Sequence, residues 1–190
     1  MWFFLQHFYC EFFLMGIDII FIVESYDEVT GKWNLVEWND QQKQYVNTKV
    51  DEEPEQAPGD SDEQYEQLLE DWRDTFPINS LTRCYKLFAL LSGMCNQYDI
   101  IPYSPAKGIP DNLSPASMII LDVNVEEEIR DRECSWLSGK ELLDIYENDV
   151  LRSNSVLHGE YKKGILDEFT ALVSQFGEFH ESYRIIFWYG

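Results

Sequence analysis

The run from Ile17 to Val23 is apolar at almost every position, rich in β-branched side chains and bounded by acidic residues. A strand that is apolar on both faces belongs inside a sheet, so this segment is expected at its centre. Thr30-Gly31-Lys32 reads as a hairpin turn, with further strands over Trp33–Trp38 and Gln44–Val50. Leu81 to Met94 is apolar nearly all round and predicts a buried helix. Met118 to Val125 reads as a second apolar strand and Tyr183 to Tyr189 as the closing one. Between them, Ser135-Trp136-Leu137-Ser138 leads into a helix over 139–149, with Ser138 as N-cap and Glu141 at the capping-box position. An amphipathic helix over 161–176 follows. Strands first and last with helices between predict an α+β fold. The expectation is one domain over 15–190, with a mainly antiparallel sheet holding the N- and C-terminal strands. Three to four helices are expected to cover it, on one side.

Two stretches interrupt this pattern. Asp51 to Asp74 holds eleven carboxylates against one cation, Arg73. Pro54, Pro58 and Gly59 keep its first half irregular, while Ser61 to Trp72 has capping and helical spacing, with Tyr65, Leu68, Leu69 and Trp72 on one side. Residues 97–117 form a long loop containing Pro102, Pro105, Pro110 and Pro115, and loops of that length are often functional. Cys84 and Cys95, eleven residues apart, are placed on one face of the Leu81–Met94 helix with Leu87, Phe88 and Leu91, as a core stripe.

The 190-residue chain carries 35 acidic and 14 basic residues, a formal charge of −21. With 45 % hydrophobic and 15 % aromatic residues it has the material for a packed core, unlike a disordered polyanion. Phosphate contacts need clustered Lys and Arg, so the balance excludes nucleic acid or anionic membrane as a partner of a basic patch. The four cysteines show no zinc spacing, and reduced cytosolic thiols are the expectation. Three scattered histidines suggest no histidine-built metal site. The opening MWFFLQHFYCEFFL (residues 1–14) is aromatic and nearly uncharged, lacks the basic residues of a signal peptide, and is interrupted by Glu11 well short of the roughly 20 apolar residues of a membrane span. It reads as an extension upstream of a natural start at Met15; the rival reading is a short membrane- or partner-binding segment.

Several blocks are familiar together. Met-Gly-Ile-Asp-Ile-Ile-Phe-Ile-Val-Glu from Met15, followed by Gly31-Lys32-Trp33, resembles a family of phage and prophage proteins that begin Met-Gly-Cys-Asp-Ile-His. Arg83-Cys84-Tyr85 with Leu87-Phe88-Ala89, Asn96, and Lys107-Gly108-Ile109-Pro110-Asp111 with Ser114 resemble its Arg-x-Tyr helix and Gly-Leu-Pro loop. Ser135-Trp136-Leu137 and the terminal Arg184-Ile185-Ile186-Phe187-Trp188 resemble its Ser-Trp-Leu-Thr segment and closing strand. The resemblance implies a mobile-element origin more than a reaction. Two departures weigh against inherited histidine chemistry. Ile20 stands where the family has its His, and no His precedes Ser-Trp-Leu in Asp131-Arg132-Glu133-Cys134.

Two functions from different classes follow. In the first, the protein is an acidic inhibitor, anti-CRISPR-like, that binds a host protein with a basic nucleic-acid-binding surface. Carboxylates on a folded scaffold can imitate the phosphate spacing of a duplex. The residues expected to carry this are Asp60, Asp62, Glu63, Glu66, Glu70, Asp71 and the run Glu126-Glu127-Glu128. Such an inhibitor would act in the host bacterial cytoplasm and need no cofactor. In the second, a metal- or phosphate-dependent hydrolase or nuclease works at a pocket around Asp18, Arg83, Tyr85, Asn96, Lys107 and Asp111. There Asp122, if its strand lies beside that of Asp18, would join it in binding Mg²⁺ through carboxylate oxygens, an adjacency the sequence does not show; the alternative is a half-exposed Asp18 paired with Arg83 or another cation.

Overall fold

The computed structural model describes residues 18–81, 83–127, 134–151, 157 and 163–189. The expected segments 1–14 and 131–133, as well as Glu128, lie outside these residues. Six antiparallel strands form one sheet: β1 (Ile19–Asp27), β2 (Lys32–Asn39), β3 (Gln44–Asn47), β4 (Asn79–Leu81), β5 (Ser135–Ser138) and β6 (Tyr183–Tyr189). The order is β3-β2-β1-β6-β5. On its other flank β1 pairs first with β4 over Ile19–Phe21 and then with β2 over Val23–Asp27. The N- and C-terminal strands are thus the central pair, in register from Ile19↔Tyr189 to Ser25↔Tyr183. An α+β fold built on these two strands is the expected class.

Helices lie on both faces of the sheet. Ile19, Phe21 and Val23 of β1 share one apolar cluster with Ile185, Phe187 and Leu137. Over it pack α2 (Tyr85–Ser92), α4 (Gly139–Ile145) and α5 (Lys163–Gln175), through Phe88, Leu142 and Phe169 among others. Alternate residues point the other way, where Ile22, Leu35, Ile186 and Trp188 meet α1 (Asp62–Arg73) and α3 (Pro115–Asn124). One-sided cover is therefore corrected to two-sided, and the reason is in β1 and β6 themselves: strands apolar on both faces must bury both.

The second correction concerns Met118 to Val125, which is helix α3 rather than a strand. Ser114 caps it, its hydroxyl accepting from the Ser117 N–H at 3.2 Å, and Pro115 occupies the first turn, where its missing N–H costs nothing. Ala116, Ile119, Ile120 and Val123 then fall at helical spacing against the core. The helix expected over Leu81–Met94 is shorter. Leu81 belongs to β4, and α2 ends at Gly93, whose left-handed φ of 77° closes the last turn. Cys84 and Cys95 consequently flank α2 instead of sharing its face, Cys95 itself at φ 47°; both still pack against the same core. The helix after Ser138 carries the full predicted capping box and runs on as a π-helical turn over Tyr146–Val150.

Candidate functional site

The loop between α2 and α3 crosses from one face of the sheet to the other around β5. On the first face Tyr103 N–H donates to the Leu90 carbonyl (2.7 Å), and Asn96 braces the bend with both amide atoms on the backbone of Ile100 (2.6 and 2.8 Å). At the β5 edge Lys107 N–H donates to Ser135 Oγ (3.0 Å). The Lys107 ammonium meets both Glu141 oxygens (2.7 and 2.9 Å) and lies 4.1 Å from the centre of the Trp136 ring. Burial by itself would raise the Glu141 carboxyl, but the hydrogen bonds from Lys107 and Ser138 outweigh it and hold the group below its ordinary value.

On the second face the loop ends on a buried ion pair. Glu24 of β1 and Arg184 of β6 stand opposite each other in register, 0 % and 2 % exposed. Arg184 Nε donates to Glu24 Oε2 at 2.8 Å and Nη2 lies 2.6 Å from the same oxygen. Nη1 donates to Asn112 Oδ1 (2.7 Å) and Nη2 to the Asn112 carbonyl (3.0 Å). The other Glu24 oxygen, Oε1, accepts the N–H of Ser114, the N-cap of α3, at 2.8 Å. The guanidinium sits 4.1 Å from the Trp33 ring centre and 5.9 Å from that of Trp136. Burial pulls the Arg184 guanidinium below its ordinary value, while the Glu24 charge acts in the opposite sense. Buried charges of opposite sign with their hydrogen-bonding capacity largely taken up form an anchor.

Glu24, Trp33, Lys107, Ser114, Trp136 and Arg184 come from blocks that are separate in the sequence, and the fold brings them to this one place. The residues expected to form a pocket are divided. Half-buried Asp18 immediately precedes β1 at the Ile19–Tyr189 end of the sheet, and exposed Arg83 and half-buried Tyr85 follow β4 there. No ion pair joins Asp18 to Arg83 among the described residues. Tyr85 packs edge-on against Phe88. Lys107 lies beside β5, two strands from β1, and exposed Asp111 adjoins Asn112 near the Glu24–Arg184 pair. Glu24 is six residues beyond Asp18, about 20 Å along the strand at ~3.3 Å per residue. Asp122 is an exposed residue of helix α3 rather than of a strand, so the condition under which it would join Asp18 on a neighbouring strand is not met. Among the described residues no group of three or more His, Cys, Asp or Glu could hold a metal ion.

The acidic residues are differently placed. Ser61 caps α1 with a full capping box, and Leu69 and Trp72 bury its inner side, while Leu68, expected inside, is 41 % exposed. Trp72 Nε1 ties the helix to the Asp51 carbonyl at 3.0 Å and Tyr65 to the Pro54 carbonyl at 3.2 Å, so the irregular half of the segment is also held. Asp62, Glu63, Glu66, Glu70 and Asp71 are exposed, and Asp60 is half-buried beside them. Asp122, Glu126 and Glu127 gather at the far end of α3, lining an open depression. Since α1 and α3 pack on the same apolar cluster, both acidic groups lie on one side of the sheet.

The sequence reading missed the Glu24–Arg184 pair, whose members are 160 positions apart. A usable signal existed: each is a charge bordering an apolar strand core, Glu24 closing Ile-Ile-Phe-Ile-Val and Arg184 opening Ile-Ile-Phe-Trp, with opposite signs. Among the described residues no helix is long and apolar enough to cross a membrane. No protein-family model, curated protein or solved structure matches the chain.

Proposed function

We propose that this protein is an acidic inhibitor of phage or prophage origin that occupies the nucleic-acid-binding surface of a host defence protein, such as a CRISPR effector, in the bacterial cytoplasm. The observation that carries the reading is the presentation of charge on α1, a capped helix held by Leu69 and Trp72. Its twelve residues hold five carboxylates over about 18 Å of axis at ~1.5 Å per residue, on average roughly one per 3.6 Å in unequal steps, Asp62–Glu63 and Glu70–Asp71 being adjacent. One strand of a DNA duplex carries a phosphate about every 3.4 Å of axis. The second acidic group at Asp122, Glu126 and Glu127 extends the charge on the same side. A preformed array of this kind binds a basic channel by complementarity and fast steered association, without the ordering cost of a disordered acidic tail.

The test is affinity capture from a bacterial lysate on the tagged full chain, eluted with a salt gradient. The expected result is retention of a nucleic-acid-handling protein that moderate salt releases and that duplex DNA or guide RNA competes away. A chain with Asp60, Asp62, Glu63, Glu66, Glu70 and Asp71 replaced by Asn or Gln should lose that retention. Undiminished retention by this variant would overturn the mimicry. Metal-dependent turnover of DNA or RNA by the unmutated chain, abolished by Asp18→Ala, would support the hydrolase reading in its place.

A further inference from the structure

The buried Glu24–Arg184 pair is not needed to hold α3 on the sheet by adhesion alone, because apolar contacts already do that. Ile120 and Leu121 are fully buried against Ile22, Ile186 and Trp188, and Ile109 and Leu113 pack at the margin. What apolar packing does not define is where along the sheet the helix begins. We infer that the pair is a register pin: it fixes the first turn of α3, and through it the position of Asp122, Glu126 and Glu127 relative to α1. The geometry is specific. One carboxylate joins two directions, Oε2 toward the guanidinium and Oε1 toward the N-cap amide of α3. The guanidinium grips the chain two residues earlier, through both the side chain and the carbonyl of Asn112. Ser114 then passes the constraint into the helix through its own hydroxyl, on the Ser117 N–H and Oγ. Trp33 on β2 and Trp136 on β5 flank the guanidinium, which leaves little freedom to tilt. Sliding α3 by one residue would leave a buried carboxylate oxygen and a buried amide without partners, a penalty that apolar surfaces do not impose. Retention of a buried ion pair for register, rather than for net stability, is a known use of such pairs.

The inference concerns docking of α3 and stands whether or not the acidic face binds a partner. It is tested by amide hydrogen exchange on the full chain, comparing the wild type with the double variant Glu24→Met/Arg184→Met. The expected result is a folded protein in which the amides of Ser117 to Leu121 exchange at least ten-fold faster, while those of Leu68 to Arg73 in α1 change less than two-fold. Asn112→Ala, which leaves the pair itself in place, should show the same local pattern in weaker form. Unchanged exchange in α3 would mean that apolar packing alone sets the register, and the inference fails. It fails equally if exchange rises uniformly across α1, α3 and the sheet, or if the double variant does not fold, since the pair would then be a general stabiliser.

Discussion

The surroundings of Glu24 and the outer face of α1 use the same functional group in opposite ways. At Glu24 a single carboxylate is fully buried, and each oxygen has a named partner. On α1 five carboxylates stand in water on a helix anchored only by its inner side. A desolvated charge acts over hydrogen-bond distances and dictates geometry, because misplacing it leaves a buried group unsatisfied. A solvated one contributes little to stability, but its field adds to that of its neighbours and reaches outward over roughly 10 Å at moderate salt. The protein thus concentrates geometric definition at the start of α3 and long-range charge on the outer face of α1.

The contrast can be broken most strongly at the buried pair. Arg184→Met, which leaves Glu24 buried and uncompensated, is expected to cost about 3–5 kcal/mol. In thermal unfolding that is a fall in Tm on the order of 10 °C for a chain of this size. A value near zero would mean that Glu24 is not desolvated as the structure has it. At the acidic helix the most sensitive position is the cap rather than any charge. Ser61→Ala removes the hydroxyl that accepts from Gln64 N–H and should cost about 1 kcal/mol in chemical denaturation.

Lys107–Glu141 lies between the two extremes, with side chains 22 % and 26 % exposed yet bidentate, and its contribution should be below about 1 kcal/mol. Its sign with pH follows from the lowered Glu141 value. A carboxyl whose folded value is depressed adds stability above its unfolded value of 4.5 and loses it as pH falls through the folded one. Acidification below pH 4.5 should therefore progressively narrow the stability gap between wild type and Glu141→Gln, followed by urea denaturation across pH. Smallest of all, Glu66→Gln or Glu70→Gln should change stability by no more than about 0.5 kcal/mol, and the sign should favour the variant because like charges are removed. Destabilisation well beyond that would show that α1 charges have structural partners, and would weaken the comparison.

Much of the frame is legible along the chain. The two-faced apolarity of Ile19–Val23 places β1 in the centre, Gly31 (φ 67°) makes the first hairpin, and Ser61 and Ser138 mark their helix starts by local capping chemistry. Met118–Val125 is ambiguous along the chain because a short apolar run fits either period; what makes it helical is the Ser114 cap with Pro115 in the first turn just before it. The pocket expectation depended on distance between elements, about which neither Asp18 nor Lys107 carries local information.

Composition and local pattern alone determined the acidity, the capped helix that bears it, the central place of β1 and the α+β class, because each follows from local spacing and the order of elements. Tertiary structure alone decided that helices cover both faces, that the proline loop passes around β5, and that Glu24 meets Arg184 from 160 positions away. These depend on which surfaces must leave water together and on finding a counter-charge for each buried ion, and both conditions are met only in the folded chain.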